Sequence, residues 1–339
     1  MATTMKDIAQ DLGVSVVTVS KVLRNHSDIS AETRKRVLQR MKEVNYQPNP
    51  AARALVTGRT SLIGLVVPDL VHPFFAQVAK EISAKLRSQG YSLIISSSED
   101  DPSLELHEID QMLARRVDAI ILASTQWTGE NVDRIMQSKV PYVLLDRKTR
   151  GASSNFVGVD DVKVGSMATN HLVEMGCKTI AHLGGSNVST AVDRQKGYSL
   201  ALARHGLTLP SEYIVKYGSG DDSGDAAGYN GMKQMLGLKT RPDGIFCCND
   251  PIAMGAMRAI LEAGLRIPDD IAIVGCGNVH YDDLLLIPLS SIDQDSNGLG
   301  LNAAKLAITL INRKSEAAPK NLLMEAKLIV RASSRRRPS

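Results

Sequence analysis

The chain of 339 residues is too long for one ordinary core, and its 43% hydrophobic content predicts a folded protein of two or three domains. The net charge of +4 hides an uneven distribution, because residues 1–60 carry 10 Lys/Arg against 5 Asp/Glu, and the segment from Arg331 carries 4 Arg and no acid. Basic ends around an acidic body favour a polyanion partner for those ends, with an ordinary solvated surface as the alternative.

The first 23 residues contain two short helical patterns that meet at Gly13-Val14, and Ser15 is placed to cap the second helix. This is the spacing of a helix-turn-helix. At the angular spacing of an α-helix, one face of the second helix is predicted to be core and the other to face outward. The predicted core residues are Val19, Val22 and Leu23, and the outward residues are Val16, Val17, Ser20 and Lys21. Adjacent exposed valines suit a DNA major groove, where apolar side chains meet thymine methyl groups; packing against another element is the alternative.

A third helix is predicted after Ser30, with Val37, Leu38, Met41 and Val44 closing a three-helix core. Its start carries Arg34, Lys35 and Arg36. Beside a helix-turn-helix this run fits contacts to DNA phosphates, although a solvated basic face is the alternative.

Residues 46–59 predict a short conditional helix. Asn49 is a good N-cap, Pro50 suits the first helical position, and strong helix formers continue to Thr57-Gly58. A helix of about eight residues is marginal in water, so this segment is expected to fold only when something holds it. Leu55 is unusual as an apolar side chain in an otherwise small and polar linker. A linker that packs weakly on its own body is the alternative.

After Thr60, apolar strand-like runs alternate with amphipathic helical stretches, which predicts parallel sheets covered by helices on both faces. The predicted strands are L-I-G-L-V-V-P, Y-S-L-I-I-S-S, V-D-A-I-I-L-A, Y-V-L-L-D, F-V-G-V-D, T-I-A-H-L-G-G, G-I-F-C-C-N-D and I-A-I-V-G-C-G. Eight strands suit two similar lobes better than one small sheet. Polar residues follow several strands, at the edge where open parallel sheets bind ligands. These residues are Asp69, Asp146-Arg147, Asn249-Asp250 and Gln294-Asp295; each could instead be a helix cap.

Four motifs closely resemble the lactose/galactose repressor (LacI/GalR) family: K-D-I-A-x-x-L-G-V-S-x-x-T-V-S-x-V-L, T-R-K-R-V, Y-Q-P-N-P-A-A-R-A-L and the C-terminal L-I-V-R-A-S-S. The resemblance covers nearly the whole chain. It implies a helix-turn-helix head over residues 1–46, a hinge over 47–60, an effector-binding body over 61–332 and a basic tail over 333–339. The body is expected to have two doubly wound parallel-sheet lobes like those of periplasmic binding proteins, about 61–159 plus 291–322 and 160–290 plus 323–332. The chain would cross between them near Val159, Ser290 and Leu323.

The resemblance also implies contacts to DNA, with Val16, Val17 and Lys21 reading bases and Leu55 inserted into the minor groove of a palindromic operator. The full set of implied DNA-contacting positions is Thr4, Lys6, Ser15, Val16, Val17, Thr18, Ser20, Lys21, Asn25, Arg34, Asn49, Ala52, Arg53 and Leu55. The implied effector-contacting positions are Asp69, Phe74, Phe75, Asp146, Ser189, Arg194, Ser223, Asn249, Gly277 and Gln294.

Two of these positions depart from the family's pattern. Gly277 stands where a strand-end aspartate is usual, and Ser223 stands where an aromatic residue is often found. A carboxylate for paired sugar hydroxyls and a ring for stacking are therefore both expected to be missing. Arg194, after the glycine-rich G-G-S-N-V-S-T, could instead hold an anionic effector by bidentate hydrogen bonds.

The expected function is a transcriptional regulator, a homodimer whose affinity for a pseudo-palindromic operator is controlled by a small molecule, a sugar or sugar derivative, bound between the lobes. A solute-binding protein without a DNA function is the alternative. No catalytic motif, metal-ligand spacing or cofactor motif is found, so neither an enzyme nor a cofactor or metal site is expected. The tail lacks leucine heptads, which favours a dimer over a tetramer. No apolar run could cross a bilayer, no signal core follows Met1 and no C-x-x-C pair occurs, so the expected location is cytoplasmic.

Overall fold

The computed structural model describes residues 3–23, 26–46, 54, 57–150, 154–185, 187–208, 210–216, 224–313, 315 and 318–336. The chain divides into two compact units, Met1–Thr60 and Ser61–Ser339. The predicted positions Asn25, Asn49, Ala52, Arg53, Leu55 and Ser223 lie outside the described residues.

The head consists of three helices, α1 (Met5–Leu12), α2 (Val16–Leu23) and α3 (Ala31–Glu43). Helix α1 begins at a capping box in which the Thr4 hydroxyl accepts from the Asp7 amide while the Asp7 carboxylate accepts from the Thr4 amide. It ends at Gly13, whose left-handed φ of 66° lets the chain turn into α2. The three helices bury a common core of Ile8, Ala9, Val19, Val22, Val37 and Met41.

Leu38 was predicted to belong to this core, and that prediction is wrong. Its side chain is 49% exposed, whereas Val37 is fully buried. On α3 the core lies on the side of Val37 and Met41, and Leu38, about 100° away from Val37, points outward.

The first lobe of the body contains a six-stranded, fully parallel sheet in the order β11-β5-β4-β3-β1-β2. Its strands are β1 (Leu62–Val67), β2 (Ser92–Ser97), β3 (Ala119–Leu122), β4 (Tyr142–Leu145), β5 (Phe156–Val159) and β11 (Asn321–Met324). Its helices are α4 (Pro73–Arg87), α5 (Pro102–Ala114), α6 (Glu130–Ser138) and α11 (Ser296–Ile311). Two separate apolar clusters cover the two faces of the sheet, as expected for a buried parallel sheet.

The second lobe repeats this architecture with the strand order β12-β10-β9-β8-β6-β7. Its strands are β6 (Ile180–Leu183), β7 (Ile214–Val215), β8 (Gly244–Cys247), β9 (Ala272–Cys276), β10 (Ser290–Asp293) and β12 (Lys327–Ile329). Its helices are α7 (Asp161–Glu174), α8 (Ser189–Arg204), α9 (Gly224–Leu236) and α10 (Asp250–Glu262). The edge strand β12 runs antiparallel to β10, so this sheet is mixed rather than purely parallel.

The chain passes between the lobes three times: after β5, after β10 and after β11. The second and third crossings lie a few residues later than predicted, because Ser290–Asp293 is a strand of the second sheet and Asn321–Met324 is wholly a strand of the first. The start of the predicted tail also belongs to the second lobe. The Ser333 hydroxyl donates to the Ile273 carbonyl at 2.8 Å, and Arg336 donates to the Pro268 carbonyl at 3.0 Å.

Glycines allow helices α7 and α8 to touch backbone to backbone. A Cβ atom at Gly165 would lie 2.0 Å from the Arg194 carbonyl oxygen, and one at Gly197 would lie 2.0 Å from the Val162 carbonyl oxygen. Neither contact leaves space for a side chain. This close approach sets where Asp161, at the start of α7, meets Arg194 on α8. In the described part of the chain, no helix combines the length and the apolar character needed to cross a membrane.

Candidate functional site

The outward face of α2 forms the candidate DNA-reading surface of the head. Val16 is 42% exposed and Val17 is 61% exposed, while Val19 and Val22 are buried. Ser15 caps the helix, because its Oγ accepts from the Thr18 amide at 3.0 Å. The two valines therefore stand on the first turn of a rigidly capped helix, the part of a recognition helix that reaches base edges.

Two of the basic residues predicted to contact DNA, Lys21 and Arg34, have acceptors within the protein. Lys21 Nζ donates to the Asp28 carboxylate at 2.5 Å. Arg34, predicted to contact phosphate, donates to the backbone carbonyls of Val22 and His26 at the end of α2. Lys6 is exposed, whereas Ser20 and Thr18 are half-buried on α2. A DNA role for these residues stays a prediction.

The body contains a cavity of about 1050 Å³ between its two lobes. Most of the predicted effector positions line it, from both lobes and from the second crossing between them. The lining positions are Asp69, Phe74, Phe75, Asp146, Arg194, Asn249 and Gln294. The size suits a small molecule, and the residues lie beyond the carboxyl ends of the strands, where ligands bind in this class of fold.

Arg194 is the most strongly held cation of the cavity. Its Nε donates to Asp161 Oδ1 at 2.8 Å, and its Nη1 donates to the Cys248 carbonyl at 2.6 Å. Both partners of this ion pair are almost fully buried. These two hydrogen bonds use two of the five N–H donors of the guanidinium, so the bidentate anion site expected at Arg194 stays a prediction.

Asp146 is buried at the boundary of the cavity, in a left-handed conformation with a φ of 62°. Its Oδ1 accepts from Gln294 Nε2 at 3.2 Å. Burial raises the pKa of Asp146 above its ordinary value, against the attraction of Arg194 and Arg147 and the Gln294 hydrogen bond. Burial likewise raises the pKa of Asp161 to about 7, although Arg194 donates to it. The carboxyl groups of Asp146 and Asp161 are thus both buried, and the positive charge of Arg194 attracts both of them.

An aromatic wall faces these groups from the first lobe. The rings of Phe74 and Phe75 meet edge to face with centroids 5.2 Å apart, and the Arg147 guanidinium lies 5.9 Å from the Phe75 centroid. Arg147 Nη1 also donates to Asp100 Oδ1 at 2.6 Å. The His72 side chain caps α4, and burial lowers the pKa of His72 to about 4, so this ring is neutral at neutral pH.

Two predicted effector positions do not line the cavity. Ser189 is buried, and its Oγ accepts from the backbone amide of Lys148 at 2.7 Å, a hydrogen bond that joins the second lobe to the first. A Cβ at Gly277 would lie 2.9 Å from Asp250 Oδ2. Asp250 therefore packs against Gly277; it is fully buried and accepts from Ser291 Oγ at 2.6 Å.

Sequence reasoning missed several residues of the site. Asp161 was not recognised because its partner Arg194 lies 33 residues further along the chain, and only the packing of α7 on α8 brings them together. His72 and Thr190 also line the cavity. They are neighbours of the predicted residues Phe74 and Ser189, but no sequence motif marked them as part of the site. Cys248 and Cys276 are buried, and both also line the cavity.

Comparison with known protein families agrees with this division of the chain. Residues 4–49 match the family model described as bacterial regulatory proteins, lacI family, and residues 169–334 match the periplasmic binding protein-like domain. The HTH-type transcriptional repressor PurR of Pasteurella multocida (strain Pm70) is 32% identical over 337 residues, covering 98% of this chain and 99% of the relative. The HTH-type transcriptional regulator RegA of Clostridium saccharobutylicum is 30% identical over 336 residues, covering 98% and 100%.

Solved structures show the same likeness over the full length. The Lac repressor dimer bound to operator and the anti-inducer ONPF matches with a TM-score of 0.87 at 27% identity, covering 98% of this chain and 99% of that chain. The complex of the transcriptional regulator CelR with cellobiose matches with a TM-score of 0.71 at 25% identity and the same coverage. With a matching head, a matching body and relatives of equal length, the chain belongs to the LacI family of DNA-binding transcriptional regulators.

Proposed function

We propose that the protein is a homodimeric repressor whose affinity for a pseudo-palindromic operator is controlled by a small molecule bound between the two lobes of the body. The observation that carries this proposal is the pairing, in one chain, of a capped recognition helix with exposed valines and a body that encloses a cavity of about 1050 Å³. A binding protein without a DNA function would have no use for the first feature.

The contacts between the lobes support control by a ligand. The Lys148 amide donates to Ser189 Oγ at 2.7 Å, and Gln294 of the second crossing donates to Asp146 of the first lobe at 3.2 Å. Both hydrogen bonds depend on the distance between the lobes, and the second joins two residues that line the cavity. A ligand that binds one arrangement of the lobes better than another would shift their equilibrium, and would act as an inducer or a corepressor according to which arrangement it favours.

An exposed apolar segment supports the homodimer. Tyr281, Leu284 and Leu286 follow β9, and their side chains are 53%, 69% and 95% exposed. Large apolar side chains grouped on a surface commonly mark a protein interface. A two-fold dimer would present two heads to two half-sites, which matches the symmetry of a palindromic operator.

The proposal is tested by selecting bound sequences from random DNA and titrating the selected site in a gel-shift assay at several salt concentrations. We expect a palindrome, strong preference over scrambled DNA and a steep fall of affinity with salt. The same titration with sugars and sugar derivatives should reveal a ligand that changes the affinity. A protein that binds a ligand but shows no preference for any DNA sequence would instead be the solute-binding alternative.

A further inference from the structure

The cavity between the lobes carries more carboxyl groups than cations. Among the described lining residues, five are acids: Asp69, Glu99, Asp100, Asp146 and Asp225. The lining contains two guanidinium groups, Arg147 and Arg194, and the His72 ring is neutral because burial lowers its pKa. Asp161, behind Arg194, adds a further acid. An anionic ligand would therefore enter a region of negative potential.

Neither guanidinium is left with its charge uncompensated. Arg147 donates to Asp100 at 2.6 Å, and Arg194 donates to Asp161 at 2.8 Å and to the Cys248 carbonyl at 2.6 Å. The two ion pairs are formed within the protein itself. A ligand that approaches them meets positive charge that is already neutralised.

Asp146 is different, because its direct partner is an uncharged amide. The side chain is 6% exposed, and its Oδ1 accepts from Gln294 Nε2 at 3.2 Å. Among the described residues, no cation forms a salt bridge with it within 4.0 Å, whereas Asp100 and Asp161 each have one. A carboxylate buried at the wall of a cavity without a paired cation is costly unless a ligand supplies that cation.

We propose that the effector is a polyhydroxylated organic amine of about the size of a sugar, whose ammonium group donates to the carboxylate of Asp146. This inference rests on the proposed function and names the chemical class of its effector. The ligand's hydroxyl groups meet the polar groups that surround Asp146. Thr190 and Asn249 line the same cavity, and since Asn249 Oδ1 accepts from the Ile252 amide, its amide nitrogen remains to donate to a ligand. The apolar face of the ligand lies against the Phe74–Phe75 wall.

A neutral sugar explains the polar lining less completely than an amine does. Its hydroxyl groups could donate to Asp146, but they would add no positive charge to the attraction that the more distant Arg194 and Arg147 already exert. An ammonium group at hydrogen-bond distance supplies both the donor and the charge, and in a site screened from water this combination is the stronger one.

The experiment is isothermal calorimetry on the full chain with matched probes that differ in one group: glucosamine against glucose, galactosamine against galactose, and glucose 6-phosphate as the anion. The titrations are run at about pH 7.5, just below the usual pKa of an α-amino group and above the pKa of about 7 of Asp161, so that the amines are largely charged and Asp161 still compensates Arg194. We expect at least one amine to bind at least about tenfold more tightly than its neutral partner. Equal or tighter binding of the neutral sugar, tightest binding of the phosphate, or no binding of either amine would overturn the inference.

The Asp146→Asn variant tests the assigned residue. Asparagine has nearly the same shape and tolerates the left-handed backbone found at this position. We expect it to lose the preference for the amine while keeping the wild-type circular dichroism spectrum. The matched control is Asp133→Asn, which removes the same charge from an exposed position on α6, away from the cavity, and should bind the amine as the wild type does. An amine preference that survives in Asp146→Asn rejects the assignment.

Failure of this inference can be told apart from failure of the proposed function. A protein that selects a palindrome and responds to a neutral sugar keeps the repressor function and rejects the amine. A protein that binds the amine but prefers no DNA sequence rejects the repressor function instead.

Discussion

Arg194 Nε lies 2.8 Å from Asp161 Oδ1, and neither side chain of this ion pair is more than 7% exposed. Breaking a buried pair leaves one charge without a partner away from water, and such changes commonly cost about 3 to 5 kcal/mol. We expect Asp161→Asn to lower the free energy of unfolding by about this amount at pH 8, as measured by urea denaturation.

Two variants control this prediction. The double variant Asp161→Leu/Arg194→Met removes both charges and should be more stable than Asp161→Asn alone. Asp110→Asn breaks the exposed pair with Arg134, whose atoms are 2.7 Å apart, and should cost less than about 1 kcal/mol. A single variant as stable as the wild type would show that the pair is dispensable.

The buried carboxyl group of Asp282 should make the stability of the body depend on pH. Burial and the neighbouring Asp250 raise the pKa of Asp282 from 3.8 to about 9, against the attraction of Arg331. The folded chain thus keeps a proton that the unfolded chain has lost between these two values. Unfolding then releases this proton, so stability falls as pH rises from about 4 to 9, by at most about 1.4 kcal/mol per pH unit.

Asp282→Asn cannot ionise and should lose less stability than the wild type over this range, so that it exceeds the wild type at pH 8. The fall that remains comes from other buried carboxyl groups with raised pKa values, such as Asp161. Urea midpoints at several pH values provide the measurement, with Asp133→Asn as the control that retains the wild-type slope. The prediction would be contradicted if the urea midpoints of Asp282→Asn and the wild type fell equally steeply with pH.

Val17 should contribute to the choice of operator sequence, since it is the more exposed of the two outward valines. Val17→Ala is expected to cost about 1 to 3 kcal/mol at one base pair per half-site and to relax the preference there. Gel-shift titrations on a set of single-base operator variants give the measurement. Leu38→Ala shortens another exposed apolar side chain of the head and should leave the preference unchanged.

Leu55 lies outside the described residues, and its wedge role stays a prediction from the sequence. Leu55→Ala should weaken operator binding at least about tenfold while leaving effector binding nearly unchanged, because an inserted apolar side chain stabilises the kinked DNA. Val56→Ala removes apolar atoms from the neighbouring position and should have a smaller effect. Equal operator affinity in Leu55→Ala and the wild type would rule out the wedge.

Leu286 should lie in the subunit interface if the homodimer uses the apolar segment after β9. Leu286→Glu places a charge at a side chain that is 95% exposed in the single chain, so the fold should tolerate it while the dimer should not. Sedimentation velocity is expected to show a monomer and the gel shift a weaker complex. Leu261→Glu, on the exposed face of α10, is the control that should remain dimeric.

Much of the fold could be predicted from the sequence because eight strands are strongly apolar and are separated by amphipathic helices. The four strands that were missed are short or polar: β7 has two residues, β10 reads S-S-I-D, and β11 and β12 have four and three residues. Their strand conformation depends on the neighbours with which they pair, and this information is not local to the sequence. Helix α8 begins at Ser189 without a side-chain cap, so the sequence carries no capping signal for its start.

The candidate site was predictable where a polar residue ends an apolar strand, as for Asp146 and Asn249. The charge distribution of the site could not be predicted, because it depends on which acidic and basic side chains form ion pairs. Arg194 alone suggested an anion, and only its contact with Asp161 shows that its charge is already compensated. In the same way, the sequence did not reveal that Asp250, at the start of α10, packs against Gly277 after β9.

The three crossings between the lobes involve strands that lie together at one edge of each sheet: β5 and β11 in the first, β10 and β12 in the second. The opposite edges, at β2 and β7, lie five strands away from β11 and β12. Opening should therefore resemble that of a book, with the spine at the crossings. Five strand spacings of about 4.8 Å separate the two edges of a sheet, so a rotation of about 10° at the spine would move the free edge by roughly 4 Å. A ligand that binds at Asp146 and Gln294, near the crossings, would therefore need to move the lobes only slightly at that point. The same rotation would produce a much larger displacement at the free edges.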